Sequence, residues 1–196
     1  MALLQDDDMY PSQQWWRDAL RIFAANPRVG VCGGRGGADL AMPESVPVRA
    51  DPIEHHDRHP DRTEGDVYSW PGIVRYTRVP GENLPGPVFV DQVNRAPMLV
   101  RRECYDEVGR FDESFAPFQC DDKEFCIRAW KGGWQVALYP SGALMHCFAG
   151  GMRRLDFGLR VVQSYRNHLR LYELHGDFIS SGGHSALPWG QGEPVW

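Results

Sequence analysis

Apolar and polar positions fall along this chain in short blocks, and the blocks predict an α/β protein. An apolar run reads as a buried strand over residues 2–5. Pro11 suits the first turn of a helix. Trp16, Leu20, Phe23 and Ala24 then recur at helical spacing until Asn26-Pro27 stops it. Val29–Cys32 predicts a second short buried strand, broken by Gly33-Gly34. Residues 34–66 carry Gly, Pro, Asp and His without a period and predict a long loop. Val67–Val79 predicts two short extended pieces around Trp70-Pro71-Gly72, and Val88–Val100 is strand-like, with Pro97 marking an edge or a bend. Arg101–Val108 predicts a short helix closed by Gly109. Asp121–Lys131 predicts a helix with Phe125, Ala129 and Trp130 on one side and Gly132-Gly133 as its stop. Trp134–Tyr139 and Ala143–Cys147 read as strands. Leu155, Leu159, Val162, Leu169 and Tyr172 mark a long amphipathic helix ended by Gly176. The expected division is one domain over residues 1–176 and a flexible Gly/Ser/Pro-rich tail over 177–196, with no internal repeat.

Composition narrows the class. A chain of 196 residues, 42% apolar and 24% charged, can bury a core as one domain. A net charge of −5 argues against non-specific nucleic-acid binding, so no nucleic-acid partner is expected. No apolar stretch approaches the roughly 18 residues of a membrane span, and Asp6–Asp8 interrupt the N-terminal apolar run, which argues against a signal peptide. The cysteines, at 32, 104, 120, 126 and 147, are odd in number and lack C-x-x-C spacing. Reduced thiols and a cytoplasmic location are the expectation.

The candidate chemistry is acidic. Asp6-Asp7-Asp8 closes the first predicted strand, and three adjacent carboxylates repel one another unless a cation lies among them. Magnesium-type sites often combine one or two carboxylates with substrate phosphates. In this reading Asp8 is the direct ligand, Asp6 touches the metal and the sugar or ribose, and Asp7 lies beside them at the substrate. The same acids also suit a solvated cap on the following helix. A second cluster opens the helix at 121: Asp121 and Asp122, with Glu124 and Arg128 spaced as an i,i+4 pair. A carboxylate at such a helix mouth can accept a proton from a substrate hydroxyl. The histidines of His55-His56-Asp57-Arg58-His59 read as solvated, and Gly30–Gly37 matches neither dinucleotide nor P-loop spacing.

In order and spacing these segments resemble glycosyltransferase family 2, which has the GT-A fold. That family carries an Asp-x-Asp motif at a strand end, a Gly-x-Phe-Asp-Glu segment and an acid pair opening a helix. Next come a Gly-aromatic step, a Pro-to-His strand and a helix containing Arg-Asn. The counterparts here are Asp6–Asp8, Gly109–Glu113, Asp121–Arg128, Gly133-Trp134, Pro140–His146 and Tyr165–Leu169, over about residues 1–172. The resemblance implies a Rossmann-like mixed sheet flanked by helices and an inverting transfer of a sugar from a nucleotide-diphosphate donor, with Mn2+ or Mg2+ as cofactor. Asp122 would be the catalytic base and Asp121 would replace the usual Glu. Asp8, Asp6 and His146 would hold the metal, and Gly33-Gly34 would match the Gly-rich end of the next strand. By the same analogy Asp91 would face the acceptor, a saccharide or lipid-linked molecule; Trp70, in the variable middle, reads either as a buried aromatic or as one stacking on the acceptor sugar. Arg153, Arg154, Arg160, Arg166 and Arg170 on the last helix suggest a basic face for peripheral contact with the inner membrane surface, or simply a solvated one.

The resemblance begins at the metal motif, so the family's nucleotide-gripping N-terminal strands have no counterpart in these residues. An apolar sheet edge near Leu3 and Val31 is then expected. A fragment is the favoured explanation. A split enzyme whose partner chain supplies the other half, and a remnant, are the others. The alternative function is a non-catalytic half-domain binding carbohydrate or a partner protein. A metal-dependent phosphoesterase ranks last, because the further His and Asp ligands of two-metal sites are missing.

Overall fold

The computed structural model describes residues 2–4, 9–11, 15–34, 36–41, 75–79, 86–95, 97–139, 144–146 and 157–180. In chain order the strands are β1 (Ala2–Leu4), β2 (Met9–Pro11), β3 (Val29–Gly33), β4 (Gly36–Ala41), β5 (Arg75–Val79), β6 (Val88–Phe89), β7 (Gln92–Val93), β8 (Met98–Val100), β9 (Gln135–Leu138) and β10 (Leu144–His146). The helices are α1 (Trp15–Ala25), α2 (Arg102–Val108), α3 (Asp121–Lys131) and α4 (Phe157–Ser180), with a 3-10 turn at Glu113–Phe115.

The main sheet has the order β1-β8-β3-β9-β6. It is mixed: β3 and β9 run parallel, whereas β8 is antiparallel to both β1 and β3, and β6 is antiparallel to β9. A three-stranded sheet (β5-β4-β7) and a two-stranded one (β10-β2) adjoin it in the chain. The fold is therefore α/β, with helices on both faces of the sheet.

Alternation along the strands builds two cores. Cys32, Leu99, Ala137 and Tyr139 meet Ala19, Ile22 and Phe23 of α1. Val31, Met98, Val100, Val136 and Leu138 meet Cys104 of α2 and Phe125, Cys126 and Ala129 of α3. Val29 and Val31 belong to opposite cores although two residues apart, because the β3–β9 register shifts between them. A third cluster joins Ile127 of α3 to Phe115, Cys120 and, from α4, Leu171 and Ile179. Helix α3 is thus covered on two sides, by the sheet and by α4. Full burial of each such side chain contributes about 1.5–3 kcal/mol.

Several sequence expectations change. Pro11 ends a strand rather than opening a helix, paired with Leu144 at the margin of a two-stranded ladder where its missing N–H is tolerated. The α1 face that turns inward is Ala19, Ile22 and Phe23, while Trp16 is 42% exposed and Ala24 is also exposed. The predicted loop at 34–66 contains β4, whose Gly36 and Gly37 pair with Val79 and Arg78 of β5 and with Val93 and Gln92 of β7. Val88–Val100 is three strands in two sheets. Helix α4 breaks at His175 (φ −138°, ψ 17°), one residue before the expected stop at Gly176, and a second helical piece runs on to Ser180. Contacts of buried Ile179 with the α3 side carry it past the glycine. Val31 is not at an edge: β3 is the middle strand of five, and β1 forms the margin among the described residues.

Candidate active site

The strand registers align one row across the main sheet: Leu4 opposite Met98, Met98 opposite Gly33, Gly33 opposite Leu138 and Leu138 opposite Val88. The carboxyl ends of β1, β3 and β9 therefore share one edge, which is where α/β sheets place ligands. Gly33 ends β3 there, its carbonyl accepting from the Tyr139 amide at 3.0 Å. A Cβ on Gly33 would stand 2.6 Å from the Val93 Cβ, so the glycine makes room for β7; Gly34 is buried beside it.

Arg95, in the turn before β8, lies at this same edge and brings the mouth of α3 to it. Its Nη1 is 3.1 Å from Oδ2 of Asp121. Asp122 is half-buried next to that pair and accepts a 2.8 Å hydrogen bond from the Lys123 amide at Oδ1. Burial, and then the like charge of Asp121, raise the Asp122 carboxyl to about 6, against the opposing pull of Lys123 and Arg95. A carboxylate tuned to that range is matched to accepting a proton near neutrality.

The segment leading to these acids is tightly held. Asp112 caps the 3-10 turn by accepting from the Ser114 amide at 2.9 Å. Gln119 and Cys120 then both adopt positive φ, 75° and 70°, which swings the chain into α3. Behind them, Lys123 Nζ is 3.3 Å from His168 Nε2, and His168 Nδ1 lies 2.8 Å from the Ser164 carbonyl. Nδ1 therefore donates its hydrogen and Nε2 accepts. Burial, and then Lys123, push His168 down to about 3, so the ring is neutral. One turn into α3, buried Glu124 receives Arg128 at 2.6 and 2.8 Å and faces His175 at 3.2 Å. Burial pushes Glu124 upward, but hydrogen bonds from His175 and Arg128 outweigh it and hold the carboxyl below its usual value.

The residues expected at the site divide as follows. Asp121, Asp122, Gly33 and Gly34 belong to the neighbourhood just described. Asp91 is buried in the turn between β6 and β7. His146 ends β10, where its backbone pairs with Met9, the residue after Asp8 in the sequence. Asp6, Asp7, Asp8 and Trp70 lie outside the described residues, as do Cys147, Arg153, Arg154 and nearly all of the expected tail. Among the described residues no group of three or more His, Cys, Asp or Glu is arranged to hold a metal ion. Cys32, Cys104, Cys120 and Cys126 are free and buried.

Three features escaped the sequence reading. Arg95 sits in an otherwise unremarked turn, and only its ion pair gives it away. Gln92 is fully buried with neither side-chain amide atom hydrogen-bonded. Asn167 and His168 stood in the sequence only as part of the Arg-Asn segment; their burial was not foreseen, and polar residues on the buried face of an amphipathic helix were the available signal. Arg170, read as part of a basic outer face, instead turns inward to Ser114 and to Asp112 Oδ2, at 3.4 Å from the latter. No helix among the described residues is long and apolar enough to cross a membrane. Compared with models of known protein families and with curated protein sequences, the chain finds no match.

Proposed function

We propose that this chain is a metal-dependent inverting glycosyltransferase of the GT-A type, or the catalytic C-terminal part of one, with Asp122 as its general base. The observation that carries the reading is the acid pair at the sheet edge where β1, β3 and β9 end, with one carboxyl raised to about 6. The acceptor is a saccharide or lipid-linked hydroxyl and the donor a nucleotide-diphosphate sugar. In the transfer, Asp122 takes the proton of the acceptor hydroxyl as its oxygen bonds to the anomeric carbon. The bond from that carbon to the diphosphate oxygen breaks, the nucleotide diphosphate leaves, and the anomeric centre inverts. Base assistance of this kind contributes about 10²–10⁴-fold. Burial raises the proton affinity of Asp122, and the like charge of Asp121, fixed by Arg95, adds to it.

Asp8, Asp6 and His146 are the candidate ligands for Mn2+ or Mg2+. Carboxylates with one imidazole suit such an ion, and the pairing of His146 with Met9 is compatible with a shared site. When bound, the metal would neutralise charge on the departing diphosphate.

Calorimetric titration of the 196-residue chain with UDP, then GDP, in the presence of manganese tests the reading, with Asp8→Ala as control. Metal-dependent binding lost in the variant is expected. A folded chain that binds neither nucleotide under any metal condition turns the assignment toward the non-catalytic half-domain, for which the marginal position of β1 offers a pairing edge.

A further inference from the structure

Four polar side chains on α4 each bond the segment from Asp112 to Glu124: Gln163, Asn167 and Arg170 at helical spacing, and His175 at the non-helical residue further along. Arg170 holds Asp112 and Ser114 at the segment's start, and His175 holds Glu124 at its end. Between them Asn167 makes the densest contact. Its amide nitrogen lies 2.7 Å from the Phe115 carbonyl, 2.6 Å from that of Phe118 and 3.0 Å from that of Gln119. Its Oδ1 accepts from Gln163 at 3.0 Å, and Gln163 also donates to the Ala116 carbonyl at 3.1 Å. Asn167 is buried. The amide has two hydrogens for three converging carbonyls, so at least one hydrogen is shared. These carbonyls belong to the turn that ends in Gln119 and Cys120, whose successive positive φ values aim the first turn of α3. Such a conformation persists only when its surroundings over-determine it.

We propose that Asn167 is a positioning residue for Asp122. By clamping three carbonyls of the preceding turn, it sets where the Asp122 carboxylate stands relative to Asp121 and Arg95. Neither an alanine nor an aspartate serves in its place, since one lacks a donor and the other only accepts. The proposal rests on the reading of Asp122 as the base for its catalytic meaning, but its test needs no substrate.

Asp122 is faced by Asp121 and Lys123 of its own helix, by Arg95 from the turn before β8 and, behind Lys123, by His168 of α4. Asn167→Ala changes none of these charges, so a change in Asp122 titration reports geometry. The measurement is the ¹³C-carboxyl titration of Asp122 in the full chain, assigned by its loss in Asp122→Asn. In Asn167→Ala the midpoint is expected to fall toward the ordinary aspartate value, about a tenfold loss of proton affinity. Gln163→Ala, which removes the bond orienting the Asn167 amide together with one donor to the Ala116 carbonyl of the same turn, is expected to move it less in the same direction. Arg170→Ala, which loosens the far end of the segment, is expected to leave it unchanged. A folded Asn167→Ala chain with the wild-type midpoint overturns the proposal, and so does an equal shift in Arg170→Ala. Should Asn167→Ala fail to fold, Gln163→Ala decides: a downward shift supports the clamp and an unchanged midpoint overturns it. Loss of UDP–manganese binding by the wild-type chain would remove the enzymatic reading and leave this test standing.

Discussion

Asp122 and Glu124 stand two residues apart on α3, and their environments push them in opposite directions. Glu124 is the more deeply buried, at 2% exposure, yet its carboxyl is held low because Arg128 and His175 bond it directly. Asp122 is half-buried as a residue, and burial of its carboxyl is the leading cause that raises it to about 6. Its nearest carboxylate neighbour is Asp121, and of the two cations beside it Arg95 is bonded to Asp121 and Lys123 reaches His168. Burial pushes both carboxyls upward; direct hydrogen bonds from Arg128 and His175 reverse it at Glu124, whereas at Asp122 burial prevails and the like charge of Asp121 adds to it. The body of α3 uses its acid for cohesion, tying the helix to α4 and, through Arg128, to the carbonyls of Val108 and Arg110. The mouth of α3 keeps an acid whose proton affinity is raised toward neutrality, a perturbation of the kind functional sites carry.

The largest expected effect breaks the comparison at the mouth. Asp122→Asn should lower sugar transfer, followed as nucleotide-diphosphate release, by about 10²–10⁴-fold, while raising stability at pH 7 by about 1 kcal/mol after discounting for partial exposure. A variant that loses activity and stability together would make Asp122 an ordinary structural acid. Breaking the body instead, Glu124→Ala leaves Arg128 and His175 facing an empty carboxylate position and should cost about 3–5 kcal/mol in urea unfolding. Gly33→Ala, which drives a methyl into Val93, should cost about 1–3 kcal/mol by overpacking, and unaltered urea midpoints would show that β7 yields freely.

The smallest effect is in the pH profile, and it sharpens the contrast. The folded chain holds the Asp122 proton more tightly than the unfolded chain does. That contribution is therefore complete below about pH 4 and is lost as pH rises through about 6. His168, pushed down to about 3, acts the other way: its contribution is present above about pH 6.5 and is lost as pH falls toward 3. Glu124, held low, likewise loses its contribution in acid. Between pH 6 and 4 Asp122 opposes the other two, so Asp122→Asn should unfold more steeply on acidification than wild type. Parallel profiles from thermal melts across that range would remove the assigned shift.

Much of the local structure was legible. Helix α3 begins at Asp121 and ends at Lys131 as its acidic first turn, basic last turn and paired glycines imply, with Gly133 taking the positive φ of 78°. The Glu124–Arg128 spacing forms the expected ion pair. What failed was decided by distant partners. Gly36–Ala41 has the composition of a loop and becomes a strand because β5 and β7, far along the chain, supply its hydrogen bonds. The helix break expected at Gly176 falls one residue earlier, at His175, and the chain then re-enters helix to Ser180, where Ile179 finds a buried place beside Ile127 and Leu171.

The sequence by itself determined the acid pair at a helix mouth, the glycine at the end of β3, and the alternation that buries Val136 and Leu138 on one face and Ala137 on the other. Those are matters of period, charge and backbone freedom, all set within a few residues. Only the tertiary structure decided that β1, β3 and β9 end on one edge, that Arg95 joins Asp121 there, and that Asn167 clamps the turn before Asp122. These depend on strand register and helix packing across up to about half the chain. No local preference of the residues involved specifies which distant partner will meet them.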